Sequence, residues 1–159
     1  MAITAYTGLP GSGKSYSIFE HVILPSLKAQ RDVWTNIPCD TEKLTNQFGY
    51  APTVFDSGDL ADNPKWFSEV LPQGVVCVLD EAWRLWPSGL KANNANPDHL
   101  EFIAEHRHLV GESGRSTEIV LATQDLTQIA VFARNLVDKT YRMTKLDAVG
   151  QSKRFRIDI

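Results

Sequence analysis

Residues 8–15 read Gly8-Leu9-Pro10-Gly11-Ser12-Gly13-Lys14-Ser15, two glycines separated by four residues and followed by lysine and serine. No other stretch restricts the fold as strongly. Glycines at these places let the backbone curl so that successive N–H groups point inward at phosphate oxygens. A helix has to leave the loop, because its positive N-terminal end completes the anion site. A strand has to enter it, and residues 2–7 are short, β-branched and end at a glycine. Lys14 then supplies a point charge for the β- and γ-phosphates of a nucleoside triphosphate such as ATP, and Ser15 a hydroxyl ligand for Mg²⁺. Gly8, Pro10, Gly11, Ser12, Gly13, Lys14, Ser15 and the adjoining Tyr16 are therefore the candidate nucleotide-binding residues. The alternative is a glycine-rich turn that binds nothing.

The rest of the chain alternates strand and helix. Residues 15–29 carry apolar side chains at helical spacing, with Pro25 expected to end or kink the helix. Residues 33–37 read as a strand stopped by Pro38, and Asp40 or Thr41 caps a helix that closes at Gly49. A small strand is expected at 53–55 and one or two helical turns at 64–71. Residues 75–80 form a continuous apolar run, the mark of a strand buried on both faces. Residues 87–97, rich in Ser, Gly and Asn, read as a flexible loop. The spacing predicts helices over 98–110 and 125–137, with a strand at 118–123 between them. Residues 140–146 and 154–159 read as two strands around Gly150, a candidate hairpin. This succession predicts an α/β fold: a three-layer α/β/α arrangement with a mainly parallel central sheet.

Composition narrows the class further. A chain of 159 residues makes one domain, and by size scaling it buries roughly 70% of its unfolded surface. No apolar run approaches the ~20 residues of a membrane-spanning helix, and no basic end precedes a long apolar stretch, so neither a span nor a signal peptide is expected. Two cysteines, Cys39 and Cys77, cannot make a disulfide framework; Cys77 reads as a small core residue in a reducing, cytoplasmic setting. The net charge of −3 is unevenly divided: residues 134–159 hold seven Lys or Arg against three Asp or Glu, and residues 1–133 hold nine against sixteen. The basic end is either a solvated edge or a contact surface for phosphates, a neighbouring subunit or an anionic membrane.

Four further groups carry chemistry. Asp80 ends the buried apolar run, a poor place for a carboxylate unless it serves a cation; it is the candidate Mg²⁺ ligand together with Ser15. Glu81 follows as the candidate general base for the attacking water, the alternative for both being a strand end with two solvated acids. Asp-Glu at this strand end, with another strand interposed between it and the phosphate loop, points to the additional-strand, catalytic-glutamate branch of P-loop ATPases. Gln124, after the strand at 118–123, is either a sensor of the γ-phosphate or a turn residue. Arg107 lies within Glu105-His106-Arg107-His108, whose histidines at i and i+2 do not share a helix face and make a poor metal pair. Arg107 either stabilises transition-state charge in a neighbouring subunit or anchors its helix to the sheet; Arg84, Arg115 and Arg134 compete for the first role. Trp83 and Trp86 are packing or base-stacking residues.

These residues in this order resemble the zonular occludens toxin (Zot) domain, which is also the cytoplasmic part of the filamentous-phage gene I assembly proteins. The resemblance rests on the loop at 8–15, Asp80-Glu81-Ala82 followed by an aromatic and Pro87, His106-Arg107-His108 with Gly111, Thr123-Gln124, and Arg134. It covers residues 1 to about 145. It implies similarity to the ring-forming, DNA-pumping ATPases of the FtsK–HerA group. It also implies a place at the cytoplasmic face of the bacterial host inner membrane, where family members use ATP to drive phage assembly and export. Relatives continue into a membrane span and a periplasmic segment. The end at Ile159, on a strand-like run, reads as a truncation, so residues 1–159 are expected to be a single P-loop ATPase domain whose membrane association comes from a segment absent here. The family's toxin label is not carried over.

The expected function is Mg²⁺-dependent ATP hydrolysis powering filamentous phage assembly. The expected partners are further copies of the chain in a ring, other phage assembly proteins, the host envelope and phage single-stranded DNA. Arg107 or Arg134 is expected to act across a subunit interface, which would leave the lone domain slow. The rivals are a small-molecule or nucleotide kinase and a non-hydrolysing nucleotide switch serving as a DNA-binding or assembly adaptor.

Overall fold

The computed structural model describes residues 3–146 and 151–158. The chain forms β1 (Ile3–Thr7), α1 (Lys14–Ile18), α2 (Leu24–Lys28), β2 (Val33–Thr35), α3 (Thr41–Phe48), β3 (Thr53–Val54), α4 (Ser57–Asp62), α5 (Trp66–Glu69), β4 (Val76–Leu79), α6 (Pro97–Glu105), β5 (Glu118–Thr123), α7 (Val131–Arg134), β6 (Val137–Leu146) and β7 (Gln151–Asp158). One sheet runs in the order β3-β2-β4-β5-β1-β6-β7. Every pair is parallel except β6 with β7. The turn expected around Gly150 lies outside the described residues.

The central strands alternate faces with period two. Cys77 and Leu79 of β4, with Ile119 and Leu121 of β5, enter a core with Trp66, Phe67, Phe102 and Ile103 from α5 and α6. Val76, Val78, Val120 and Ala122 face the opposite core, with Ile18, Leu27 and Leu44 from α1, α2 and α3. Two apolar layers on one sheet are the expected α/β/α sandwich, and they explain why β4 reads as an unbroken apolar run. Cys77 is fully buried, and burial pushes its thiol pKa up.

Pro25 does not end the first helix. A π-helical turn, Phe19–Ile23, precedes α2, and the Leu24 N–H donates to Phe19 O, five residues back. The wider turn leaves room for the proline ring, which sits at the start of α2.

Two expected helices are shorter than their periodicity suggests. α6 stops at Glu105 and continues only as a 3₁₀ turn, His106–His108. Leu109 O then accepts from the Thr117 N–H, drawing the chain into an antiparallel turn against β5. The 125–137 segment is a 3₁₀ turn, Leu126–Gln128, an extended step, and the single helical turn α7. The Ala130 N–H donates to Trp86 O, and Pro87 bridges to Ile129. Helix α4, absent from the sequence reading, is set by a capping box in which Asp56 and Asp59 satisfy each other's backbone N–H groups.

Candidate nucleotide site

In a parallel sheet with helices on both faces, ligands bind beyond the carboxyl ends of the strands. Here that edge collects Gly8 after β1, Asn36 after β2, Asp80 and Glu81 after β4, and Gln124 after β5. The sheet order places β5 between β1 and β4, so one strand separates the phosphate loop from the Asp-Glu pair, as expected.

The loop itself needs its glycines. A Cβ on Gly8 would lie 2.5 Å from Ser12 Oγ and 2.6 Å from Met143 O, and Gly11 and Gly13 both have positive φ. The Lys14 Nζ donates to Gly8 O at 2.5 Å and Leu9 O at 3.2 Å, bracing the curl from inside. Burial lowers the Lys14 pKa, while the charges of Asp80 and Glu81 raise it, so the lysine and both acids share one field. Ser12 is buried and its Oγ has no protein partner, a donor in keeping with a phosphate ligand. Pro10, Ser15 and Tyr16 are exposed at the loop and the first turn of α1.

Asp80 is held by a residue the sequence reading passed over. The Asp80 N–H donates to Asn36 Oδ1 at 2.7 Å, and Asn36 Nδ2 donates back to Asp80 O at 2.9 Å. This two-point clamp, worth about 1 kcal/mol per bond, fixes the Asp80 backbone, and Asp80 Oδ1 accepts from the Glu81 N–H at 3.0 Å. Burial raises the Asp80 pKa; a hydrogen bond from the Glu81 N–H and the charge of Lys14 lower it. Glu81 adopts left-handed backbone angles, φ 54° and ψ 44°. For a non-glycine residue this costs roughly 1–2 kcal/mol, and such strain clusters at functional sites. The Trp83 Nε1–H donates to Glu81 Oε2 at 2.5 Å.

Mg²⁺ is a hard ion that takes few protein ligands and completes its shell with water and phosphate oxygens. A half-buried carboxylate beside a lysine, with a serine hydroxyl in the neighbouring first helical turn, fits that demand. Among the described residues no group of three or more His, Cys, Asp and Glu is placed to hold a metal.

Gln124 is exposed, and its carbonyl accepts from the Gly8 N–H at 3.0 Å. The end of β5 is thereby tied to the mouth of the loop. A second amide lies close by: the Thr123 hydroxyl donates to Gln128 Oε1 at 2.9 Å. Both glutamines line a cavity of about 720 Å³ with Gly8, Ser12 and Arg142.

Arg107 is at the other end of the molecule. Its Nη2 lies 2.9 Å from Asp138 Oδ2 at the start of β6, an oxygen that also accepts from the Ile3 N–H. The length of β1, roughly 17 Å at 3.3 Å per residue, separates it from its own phosphate loop. The anchoring alternative describes this contact, and the arginine has an acid partner that sequence reading did not find. His106 is buried with Nδ1 against Ile103 O. Gly111 sits against Gly74: a Cβ on Gly74 would lie 2.7 Å from Gly111 N. Arg107 and Gly111 thus hold the α6–β5 connection against the start of β6 and against Gly74, just before β4. Arg134, at the end of α7, forms no ion pair among the described residues and contributes with Arg142 to lowering the Asp125 pKa, after two hydrogen bonds from Thr127. Trp86 is fully buried and donates to His99 Nδ1, a packing role; Trp83 is partly exposed.

Comparison with known proteins agrees with this architecture. The crystal structure of the N-terminal domain of zonular occludens toxin from Neisseria meningitidis is 21% identical, with a TM-score of 0.62, over 99% of this chain and 93% of that one. The genome packaging NTPase B204 from Sulfolobus turreted icosahedral virus 2, in complex with AMPPCP, is 20% identical, with a TM-score of 0.63, over 91% of this chain and 75% of that one. No curated protein sequence matches the chain. The model of the zonular occludens toxin (Zot) family matches residues 2–159. The phosphate loop, the Asp-Glu strand and the interposed β5 thus sit in a chain that belongs to the Zot family.

Proposed function

We propose that this chain is an ATP-hydrolysing motor domain of phage assembly. The observation that carries the reading is the placement of Asp80 and Glu81 directly after β4, one strand from the phosphate loop. Lys14 and the loop N–H groups bind the β- and γ-phosphates, Ser15 and Asp80 hold Mg²⁺, and Glu81 takes the proton of the attacking water. Bound Mg²⁺ supplies charge neutralisation at the phosphates. Gln124, tied to Gly8, senses the γ-phosphate. Family membership supports this reading, as do the solved complexes of the packaging NTPase with ATP analogues.

The finer parts of the proposal follow the family. The domain works in a ring at the cytoplasmic face of the host inner membrane, driving filamentous phage export with other assembly proteins. No described helix is long and apolar enough to cross a membrane. Leu9 and Tyr16 are 72% and 65% exposed beside the loop, a surface that a neighbouring subunit would cover. Arg107 pairs with Asp138 at the exposed surface, whereas Arg134 has no ion pair among the described residues, and Arg134 is the arginine we place in a neighbour's site.

Specific activity tests the assembled site. Phosphate release with Mg²⁺ is expected to rise more than ten-fold per molecule of protein between dilute and concentrated solution, and Arg134→Ala is expected to remove that rise. Full activity in dilute protein would refute the trans arginine. Transfer of the phosphoryl group to a small acceptor without release of phosphate would favour the kinase reading instead.

A further inference from the structure

We propose that Trp83 positions the Glu81 carboxylate for its water, which makes the indole N–H a working part of the hydrolytic site; the proposal rests on the ATPase reading above. A surface glutamate has several rotamers to lose, and a general base acts only within hydrogen-bond reach of the proton it removes. Glu81 is exposed, so packing alone does not fix it. The local fold does so in another way. The left-handed turn at Glu81 starts a 3₁₀ turn, Ala82–Arg84, in which the Arg84 N–H donates to Glu81 O at 2.9 Å. That turn folds the Trp83 ring back over Glu81, where Nε1 reaches Oε2. One carboxylate oxygen is engaged and Oε1 is left to face water.

Trp83 has little other use for its ring. Trp86 and Trp66 are buried in the core and Trp34 packs against it, whereas Trp83 is 37% exposed and belongs to neither core cluster. Arg84 covers the indole, its guanidinium carbon 5.5 Å from the ring centre. The following residues anchor the turn: Trp86 O accepts from Ala130 N–H and Gln128 O from Ser88 N–H, both at 2.8 Å. A large apolar ring is therefore kept at the surface, immobilised from both ends of its loop, with its one polar atom on the candidate base.

Two substitutions separate positioning from packing. Phenylalanine keeps the bulk and loses the N–H; histidine is the poorer copy in shape and restores a ring donor. Trp83→Phe is expected to lower kcat about ten-fold, with the KM for ATP within two-fold, and Trp83→His to recover part of that loss. A packing role predicts the opposite order. As a readout independent of turnover, the chain's four tryptophans give indole N–H signals in ¹⁵N-correlated NMR, and Trp83 is identified by its absence in Trp83→Phe. Glu81→Gln is expected to move that signal upfield. An unchanged kcat in Trp83→Phe, a phenylalanine variant faster than the histidine one, or an indole signal indifferent to Glu81→Gln would each overturn the proposal. A wild type that turns over no ATP overturns the ATPase reading and this role together. Normal wild-type turnover with an unaffected Trp83→Phe overturns this role alone.

Discussion

Lys14→Ala is expected to reduce both ATP affinity and turnover by at least about 100-fold, the scale of losing one preorganised charged donor to a phosphoryl group, while the protein stays folded. The Nζ makes only two bonds to its own loop, to Gly8 O and Leu9 O, and it belongs to neither core. The charges of Asp80 and Glu81 act on it and oppose the lowering of its pKa by burial. Lys14→Arg is expected to fail nearly as badly, because a planar fork does not replace a compact point charge inside a closed curl. Isothermal titration with ATP and Mg²⁺, beside a thermal melt, checks both halves. Wild-type affinity in Lys14→Ala would mean that the loop is an ordinary turn.

Gly74→Ala is expected to be the most damaging small substitution for the fold. Gly74 has φ +82°, and a Cβ there would lie 2.7 Å from Gly111 N, 2.8 Å from Gly111 Cα and 2.9 Å from Arg115 O. These are backbone atoms that cannot step aside. They belong to a tight turn closed by the Gly111 N–H to Arg115 O at 3.1 Å, while the Gly74 N–H donates to Thr117 Oγ1 at 2.8 Å. A left-handed alanine costs about 1–2 kcal/mol and overpacking a further 1–3 kcal/mol. Together these lower Tm by roughly 10 °C in a domain of this size. Calorimetry measures it directly; a Tm within 2 °C of wild type would show that the 109–117 turn yields.

The same region shows where the sequence was readable and where it was not. The loop at 8–15 and the acids after β4 declare themselves locally, because their chemistry depends on residues adjacent in the chain. The two-faced burial of β4 and β5 is written in their unbroken apolar runs. The Asn36 clamp on Asp80 spans 44 residues, and the Arg107 pair with Asp138 spans 31; no local pattern marks either. The apolar residues of 125–137 include Ile129, Ala130 and Ala133 of the core, yet most of the segment is not helical. Asp125 caps a short turn through Thr127, and bonds with Ser88 and Trp86 hold the chain at Gln128 and Ala130, with Ile129 extended between them, so tertiary contacts override the period. Arg107 stays open between a finger and an anchor in the sequence because its acid partner, Asp138, is remote in the chain.

Glu81, held after Asp80 and one strand from the loop, is the residue proposed as the hydrolytic base. Glu81→Gln keeps the size and shape of the side chain and removes its negative charge and its capacity to take a proton. ATP binding within about two-fold of wild type, with phosphate release lowered at least about 100-fold, is expected; unchanged turnover in Glu81→Gln would mean that Glu81 is not the base.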